Sequence, residues 1–335
     1  MIKIQFIFGN QGTEVSEPQP LLKYNLEKYY IKIVKKNPDL LFIHNRLLNN
    51  SHSKIPKVIV ERADSSVIFH EQVRELIRDD KTLAIIKTTA THDKSLNNSL
   101  KCNRRYHCYI INQFANILEN EPTKNFLDEK SLKKIHCLIP TSVQNRFYWY
   151  KEQPPKKNKP IDVSFVGVTS YPNIKGINVM DWHRNKLVEE LKKINGINLF
   201  YVTSEAGKSH PLKEFDYKNV VQKSKIIISP WGMGEWNYRD FHAMYQNCIL
   251  IKPDSSHVEC YPVDIFANNE RYVPCKIDFS NLKQKIESIL DEYKKYQTMM
   301  EKNRDDLVKS WDFQKLSEEF AFFVFNIIEP KKMFL

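Results

Sequence analysis

Short apolar runs alternate with helix-compatible stretches through the first half of the chain. Ile2–Phe8 predicts an opening strand, followed by the loop GNQGTE. Leu21–Lys36 has apolar spacing that suits a helix and ends near Pro38. Leu40–His44, Lys57–Val60, Leu83–Ile86 and Ile135–Ile139 are apolar runs of strand length. Strands separated by helical patterns predict a parallel sheet covered by helices. The pattern breaks at Tyr150 to Pro160, YKEQPPKKNKP, where three prolines and four lysines preclude a helix or a central strand. A second α/β pattern follows. Its strands are DVSFVG (Asp162–Gly167), Ile197–Val202, Lys225–Ser229 and Leu250–Ile251, with helices at His183–Ile194 and Tyr217–Ser224. From Asp278 the chain reads as helical, over Leu282–Met300 and Phe313–Ile328. The expected architecture is α/β: two Rossmann-like domains, residues 1–150 and 161–335, joined by a linker at 151–160, with a C-terminal helical tail. Clefts between such domains commonly hold ligands.

Composition narrows the ligand. The 335 residues carry 51 basic and 40 acidic side chains, a formal charge of +11, which favours anionic partners. The lysines are scattered, and neither a zinc-finger spacing nor an aromatic-interleaved RNA-binding signature occurs, so nucleic acid is not an expected partner. Six cysteines form no CxxC pair, and reduced structural thiols are expected. The N-terminal MIKIQFIFGN is apolar over too few residues for a signal peptide, and no window approaches 18 uninterrupted apolar residues. These features predict a cytoplasmic protein with, at most, peripheral contact on an anionic membrane surface. The NxS sequons at Asn49 and Asn97 carry little weight in that setting.

Only eight glycines occur, and two of them fall within three residues, in SPWGMGEWNYRDFHAMYQNCILIKPD (Ser229 to Asp254). A strand ends at Ser229, and Pro230 terminates its pairing. Gly232 and Gly234 let the backbone turn and approach a ligand closely. From about Asn237 a helix is expected, with Tyr238, Phe241, Met244 and Tyr245 on one face. A strand, a glycine loop and a helix N-terminus together form an anion site. Arg239, in the first turn, is suited to clamp a diphosphate; the competing reading pairs it with Glu235 or Asp240. The third glycine of a GxGxxG fingerprint is absent, because Asn237 stands in its place.

The pattern SPxGxGxxxYRDFxAxxxxxxLIKPD resembles the C-terminal signature of exostosin-like and related glycosyltransferases of the GT-B fold, in which an S/C-P-x-G-x-G loop is followed by an arginine, a Glu-Ala pair and a glycine. The matches are Ser229, Pro230, Gly232, Gly234, Arg239 and Ala243, and the similarity extends over about residues 160–325. The resemblance implies transfer of a sugar from a nucleoside diphosphate sugar to a glycan, glycoconjugate or protein acceptor. It places Arg239 and the Gly232–Gly234 loop at the phosphates, His242 near ribose or sugar, and Ser229, Pro230 and Tyr238 in the same donor site. It also implies no metal and no cofactor beyond the sugar nucleotide, in keeping with the lack of a convincing DxD motif. Two positions depart from the pattern: the family glutamate is His242 and the following glycine is Asn247.

An inverting transfer needs a base on the acceptor side. Asp64, after the strand KVIVERA, is the first candidate; Asp93, after LAIIK, is the second, and Glu14 the third. Each also reads as a turn residue capping the next helix. Ser204 and Lys208 are candidates to line the donor cleft. Two other functions stay open: a sugar-nucleotide epimerase or hydrolase on the same fold, and a non-catalytic glycan- or polyanion-binding protein.

Overall fold

The computed structural model describes residues 1–7, 25–47, 54–61, 66–68, 71–98, 126–138, 153–170, 179–208, 211–232, 234–310 and 312–328. In chain order the first half contains β1 (Ile2–Ile7), β2 (Ile31–Ile33), β3 (Leu40–His44), β4 (Lys57–Glu61), α1 (Glu71–Leu76), β5 (Thr82–Lys87), β6 (Thr89–Thr91), α2 (Glu129–Leu132) and β7 (Ile135–Cys137). The second half opens with β8 (Ile161–Ser170), α3 (Val179–Leu191), β9 (Leu199–Glu205), α4 (Glu214–Lys223), β10 (Ser224–Ile228) and α5 (Tyr238–Tyr245). It continues with β11 (Ile249–Pro253), β12 (Val258–Cys260), β13 (Val273–Cys275), α6 (Leu282–Asp291), α7 (Gln297–Lys309) and α8 (Phe313–Ile328).

Two parallel sheets result, one from each half. The first has the order β2-β1-β3-β4-β5-β7 and the second β13-β11-β10-β8-β9. In each, the second strand lies outside the first and the later strands step away on the other side, the doubly wound 2-1-3-4-5 arrangement. Two Rossmann-like domains with terminal helices therefore describe the chain.

Burial on both faces explains why these strands read as unbroken apolar runs. β3 and β4 are buried at every position. On the first sheet, Phe42, Val58 and Val60 face one core, while Ile59 and Ile85 face another beneath Val73 of α1. On the second sheet, Ile226 and Ile228 pack with Leu187 and Leu191 of α3 and Ile286 of α6. Ile227 points the other way, toward Phe241 and Met244 of α5.

The terminal helix crosses back. Leu316, Phe320 and Val324 of α8 pack into the first sheet's core, where the Phe320 ring lies 5.2 Å from that of Phe42. The expectation had kept the terminal helices with the second domain; the apolar face of α8 instead covers β1, β3 and β4. A second crossing is β6, which pairs antiparallel with β12 of the other half.

Three expectations are corrected locally. Ile31–Ile33, expected inside a helix, is an edge strand parallel to β1, because Ile31 is buried beside Ile2 while Lys32 and Ile33 face outward. The helix expected at Leu282–Met300 breaks at Glu292, resumes as a short 3-10 turn and then runs as α7. β6, β12 and β13 were not anticipated; each is three residues long. The described cysteines, Cys137, Cys248, Cys260 and Cys275, are free and buried, and burial pushes their thiols up. Cys102 and Cys108 lie outside the described residues. Asn97 is buried, and its Oδ1 accepts a hydrogen bond from the Ile68 amide at 2.7 Å. No helix among the described residues is long and apolar enough to cross a membrane.

One ion pair fastens the base of the first sheet. Lys57, buried at the start of β4, donates to Asp79 Oδ2 at 2.8 Å. The Lys57 hydrogen bond, aided by the Lys81 amide, holds the Asp79 carboxyl below its ordinary value. A depressed carboxylate stabilises the fold above its unfolded pKa, and this contribution disappears as pH falls through the folded value. Asp79→Asn should therefore lower stability at pH 7 by about 1–2 kcal/mol, less than a fully buried pair because Asp79 is partly solvated. The difference from the parent should shrink below pH ~4 in urea titrations.

Candidate functional site

A cavity of about 470 Å³ opens on the second domain, lined by Val166, Gly167 and Val168 of β8, Arg184 of α3, and Glu214 and Tyr217 of α4, with Asn237, Tyr238, Arg239 and His242 completing the wall. Its position follows from the strand order. Helices after β8 and β10 leave toward opposite faces, which opens a crevice beyond the carboxyl ends of these two strands.

The helix α5 starts at this crevice because its first turn is capped. Asn237 Oδ1 accepts from the Arg239 amide at 3.1 Å, and the Asp240 carboxylate accepts from the Asn237 amide at 2.9 Å, forming a capping box. Asn237 Nδ2 donates to the Pro230 carbonyl at 2.9 Å, which ties the cap to the end of the preceding strand. At the other end Asn247 adopts a left-handed backbone, φ 50°. The resembling motif has glycine here, and asparagine is the next residue best able to adopt that conformation.

Arg239 reaches from the first turn back across β8. Its Nη2 donates to the Val166 carbonyl, its Nη1 lies 3.4 Å from Asn237 Oδ1, and its guanidinium carbon sits 5.3 Å from the Phe165 ring centre. The Nε is buried and has no hydrogen-bond partner among the described residues. Gly167 makes this course possible: a Cβ there would stand 2.7 Å from Arg239 Nη2. The alternative carboxylate partners are engaged elsewhere. Glu235 accepts from the amide and hydroxyl of Ser66, each at 3.0 Å, and Asp240 pairs with Lys252 at 3.1 Å.

Arg184, nine-tenths buried, enters from α3 and donates to the Val168 carbonyl at 2.6 Å and the Trp231 carbonyl at 3.0 Å. Its neighbour His183 accepts from the Trp231 amide at Nε2, 3.1 Å, so its Nδ1–H donates to the Ile277 carbonyl at 2.9 Å. Consecutive residues of α3 thus hold both sides of the Trp231 backbone. On the far wall, Tyr217 Oη lies 3.0 Å from His242 Nδ1. Burial pushes the Tyr217 hydroxyl up to about 12, so it is protonated at neutral pH and keeps its hydrogen bond with the ring. Glu214 is the one acid on the wall and pairs with Lys218 at 2.9 Å. Two guanidiniums beside a helix N-terminus make this a site for an anion.

Of the residues singled out in the sequence, Tyr238, Arg239 and His242 meet at the cavity. Ser229 is buried with its hydroxyl on Asp240, and the Pro230 carbonyl serves the Asn237 cap. Gly232 and Gly234 are buried, and the Gly232 amide donates to the Gly234 carbonyl at 3.0 Å; neither lines the cavity. Asp64 and Glu14 lie outside the described residues. Asp93 is exposed beyond the cavity wall, where Oδ1 accepts from the Ser95 amide at 2.9 Å and Ser95 holds its carboxyl below the ordinary value. That is the geometry of a turn cap, and the shift is opposite to the one a general base needs. Ser204 lies on β9, and Lys208 pairs with Glu205 at 3.0 Å. Arg184, Tyr217 and Glu214 were not anticipated; a basic residue inside the expected His183–Ile194 helix was the available signal for Arg184.

No protein-family model and no curated protein sequence matches the chain. Among solved structures, the chain is similar to a TarM variant from S. aureus in complex with fondaparinux, alpha-GlcNAc-glycerol and UDP, at 12% identity and a TM-score of 0.46. That match covers 84% of this chain but only 55% of TarM. An alpha1,3-fucosyltransferase is similar at 15% identity and a TM-score of 0.45, covering 97% of this chain and 90% of that one. An alpha-glucosyltransferase in complex with UDP-glucose and DNA containing an abasic site is similar at 12% identity and a TM-score of 0.46, covering 96% and 98%. The fold itself rests on the two doubly wound sheets described above.

The cap at Asn237 is open to a direct check. Asn237→Ala should destabilise the protein by about 1 kcal/mol, and Asn237→Asp should recover most of that loss in thermal melts.

Proposed function

We propose that the protein is a glycosyltransferase that takes its sugar from a nucleoside diphosphate sugar bound in the second domain's cavity. The observation that carries this reading is the convergence of Arg239, Arg184 and the N-terminus of α5 on one cavity at the strand-order switch point. Two phosphates are the ligand chemistry that two planar, fork-shaped cations at the positive end of a helix dipole fit best. The diphosphate lies against Arg239, with Tyr217 and His242 toward ribose or sugar. The reading carries over the resemblance of Ser229 to Asp254 to the exostosin-like signature. Arg239, Arg184 and the helix dipole offset the charge of the leaving nucleotide without a metal. The acceptor, a glycan or glycoconjugate, approaches from the first domain. Asp64 is retained as the proposed base because Ser66, two residues on, already touches Glu235 of the second domain.

The decisive experiment is calorimetry with UDP, GDP and their sugars. Arg239→Ala should weaken binding of the preferred nucleotide at least a hundredfold while the melt stays cooperative; unchanged affinity would sink the placement. Product analysis with glycan acceptors then separates transfer from hydrolysis, from epimerisation and from binding alone.

Gly167→Ala is a second, milder probe. The added methyl competes with the Arg239 guanidinium, which sits at the far end of a long side chain. Thermal stability should change by about 1 kcal/mol or less, whereas nucleotide affinity should fall about tenfold.

A further inference from the structure

The first turn of α5 holds an acid, Asp240, whose presence there needs explaining. A carboxylate at this point satisfies the helix dipole itself and repels any anion that the same amides would bind. Asp240 is fully buried, and its charge is met at once by Lys252, also fully buried, on the neighbouring strand β11. The ammonium lies 3.1 Å from Asp240 Oδ2 and 3.4 Å from Oδ1, with the Phe266 ring 5.5 Å away. The carboxylate accepts further hydrogen bonds from the Ser229 hydroxyl and the Asn237 amide. Asn237 in turn holds the Arg239 amide.

We propose that Lys252 is an electrostatic positioning residue: it cancels the Asp240 charge, so that the first turn of α5 and Arg239 keep their attraction for the donor's phosphates. This rests on the reading of the cavity as a nucleoside diphosphate site. Asp240 is kept for its geometry, because it completes the capping box and fixes the turn that carries Arg239. Its charge is the drawback, and Lys252 removes it from behind without entering the cavity, whose wall does not include it. The same arrangement explains a lysine in a strand buried at every position, where a hydrophobic residue would pack at lower desolvation cost. Burial draws the Lys252 ammonium below the ordinary lysine value, and Asp240 opposes that pull.

UDP and GDP are the probes, and the neutral pair is the diagnostic variant. Lys252→Met exposes the site to an uncompensated Asp240 and should weaken binding of the preferred nucleotide about tenfold or more. Lys252→Met combined with Asp240→Asn removes both charges, retains an acceptor for the Asn237 amide, and should bind within about threefold of the parent. A purely structural role for Lys252 would instead lower the melting temperature without this return of affinity. Unchanged affinity in folded Lys252→Met overturns the proposal, as does a double variant that melts cooperatively but binds more than tenfold more weakly than the parent. Where Lys252→Met does not fold alone, the double variant decides by itself. Arg239→Ala run beside them separates the two levels. If it binds like the parent, the phosphate reading fails; if it loses binding while Lys252→Met does not, only the charge-compensation proposal fails.

Discussion

Parallel pairing of β8 with β10 is the constraint on which the site depends. Ser224, Ile226 and Ile227 of β10 register against Ile161, Val163 and Ser164 of β8, so both strands deliver their carboxyl ends to one edge. The segments beyond them must then part, because α3 belongs to one face of the sheet and α5 to the other. A crevice at that point is a consequence of chain direction and not of any particular side chain. Side chains decide what the crevice can hold. Arg184 and Arg239 approach from opposite faces, and each is steadied by a carbonyl at the end of β8. Backbone acceptors orient a guanidinium without neutralising it, so the charge of Arg239 stays available to a ligand.

The strands were legible because both sheets are covered on both faces, which writes them as continuous apolar runs. LLFIH and KVIVE could scarcely have been anything else. Ile31–Ile33 was not legible, since three residues at a sheet edge carry too little pattern to compete with a neighbouring helical spacing. β6 and β12 were hidden for a different reason: each exists only because the other half of the chain supplies its partner. Within the site, Arg239 could be read because it sits in a motif, at a fixed distance from the strand that precedes it. Arg184 and Tyr217 could not, because their relevance depends on how α3 and α4 are rotated about their axes over the sheet. The glycines show the same limit. Gly232 and Gly234 stood out by spacing, yet the close approach to Arg239 is made at Gly167, inside a strand.

The two halves are bound together by more than a linker. α8 contributes Phe320 and Val324 to the first sheet's core, and Tyr261, beyond β12, reaches Glu319 of α8 at 2.6 Å. β6 and β12 share backbone hydrogen bonds, flanked by the His92–Asp264 contact at 2.9 Å and by Lys94 on Glu259. Beside the cavity loop, Glu235 takes both the amide and the hydroxyl of Ser66. These contacts fix the first sheet against the second half of the chain. They also account for Glu235 being withdrawn from Arg239, which a reading of neighbours in sequence would have paired.

His242 stands on the cavity wall where the resembling motif has a glutamate. A glutamate at this place would add a negative charge to a wall that carries Arg184 and Arg239. The imidazole, whose Nδ1 lies 3.0 Å from the Tyr217 hydroxyl, adds no carboxylate charge. The balance of charge on the wall is thereby more favourable to an anion. Among the described residues Glu214 is the one acid on that wall, and it pairs with Lys218 at 2.9 Å. The same logic governs Asp240, in the first turn of α5, which is retained for its hydrogen bonds and matched by Lys252. Each of these two carboxylates has a lysine nitrogen within 3.1 Å.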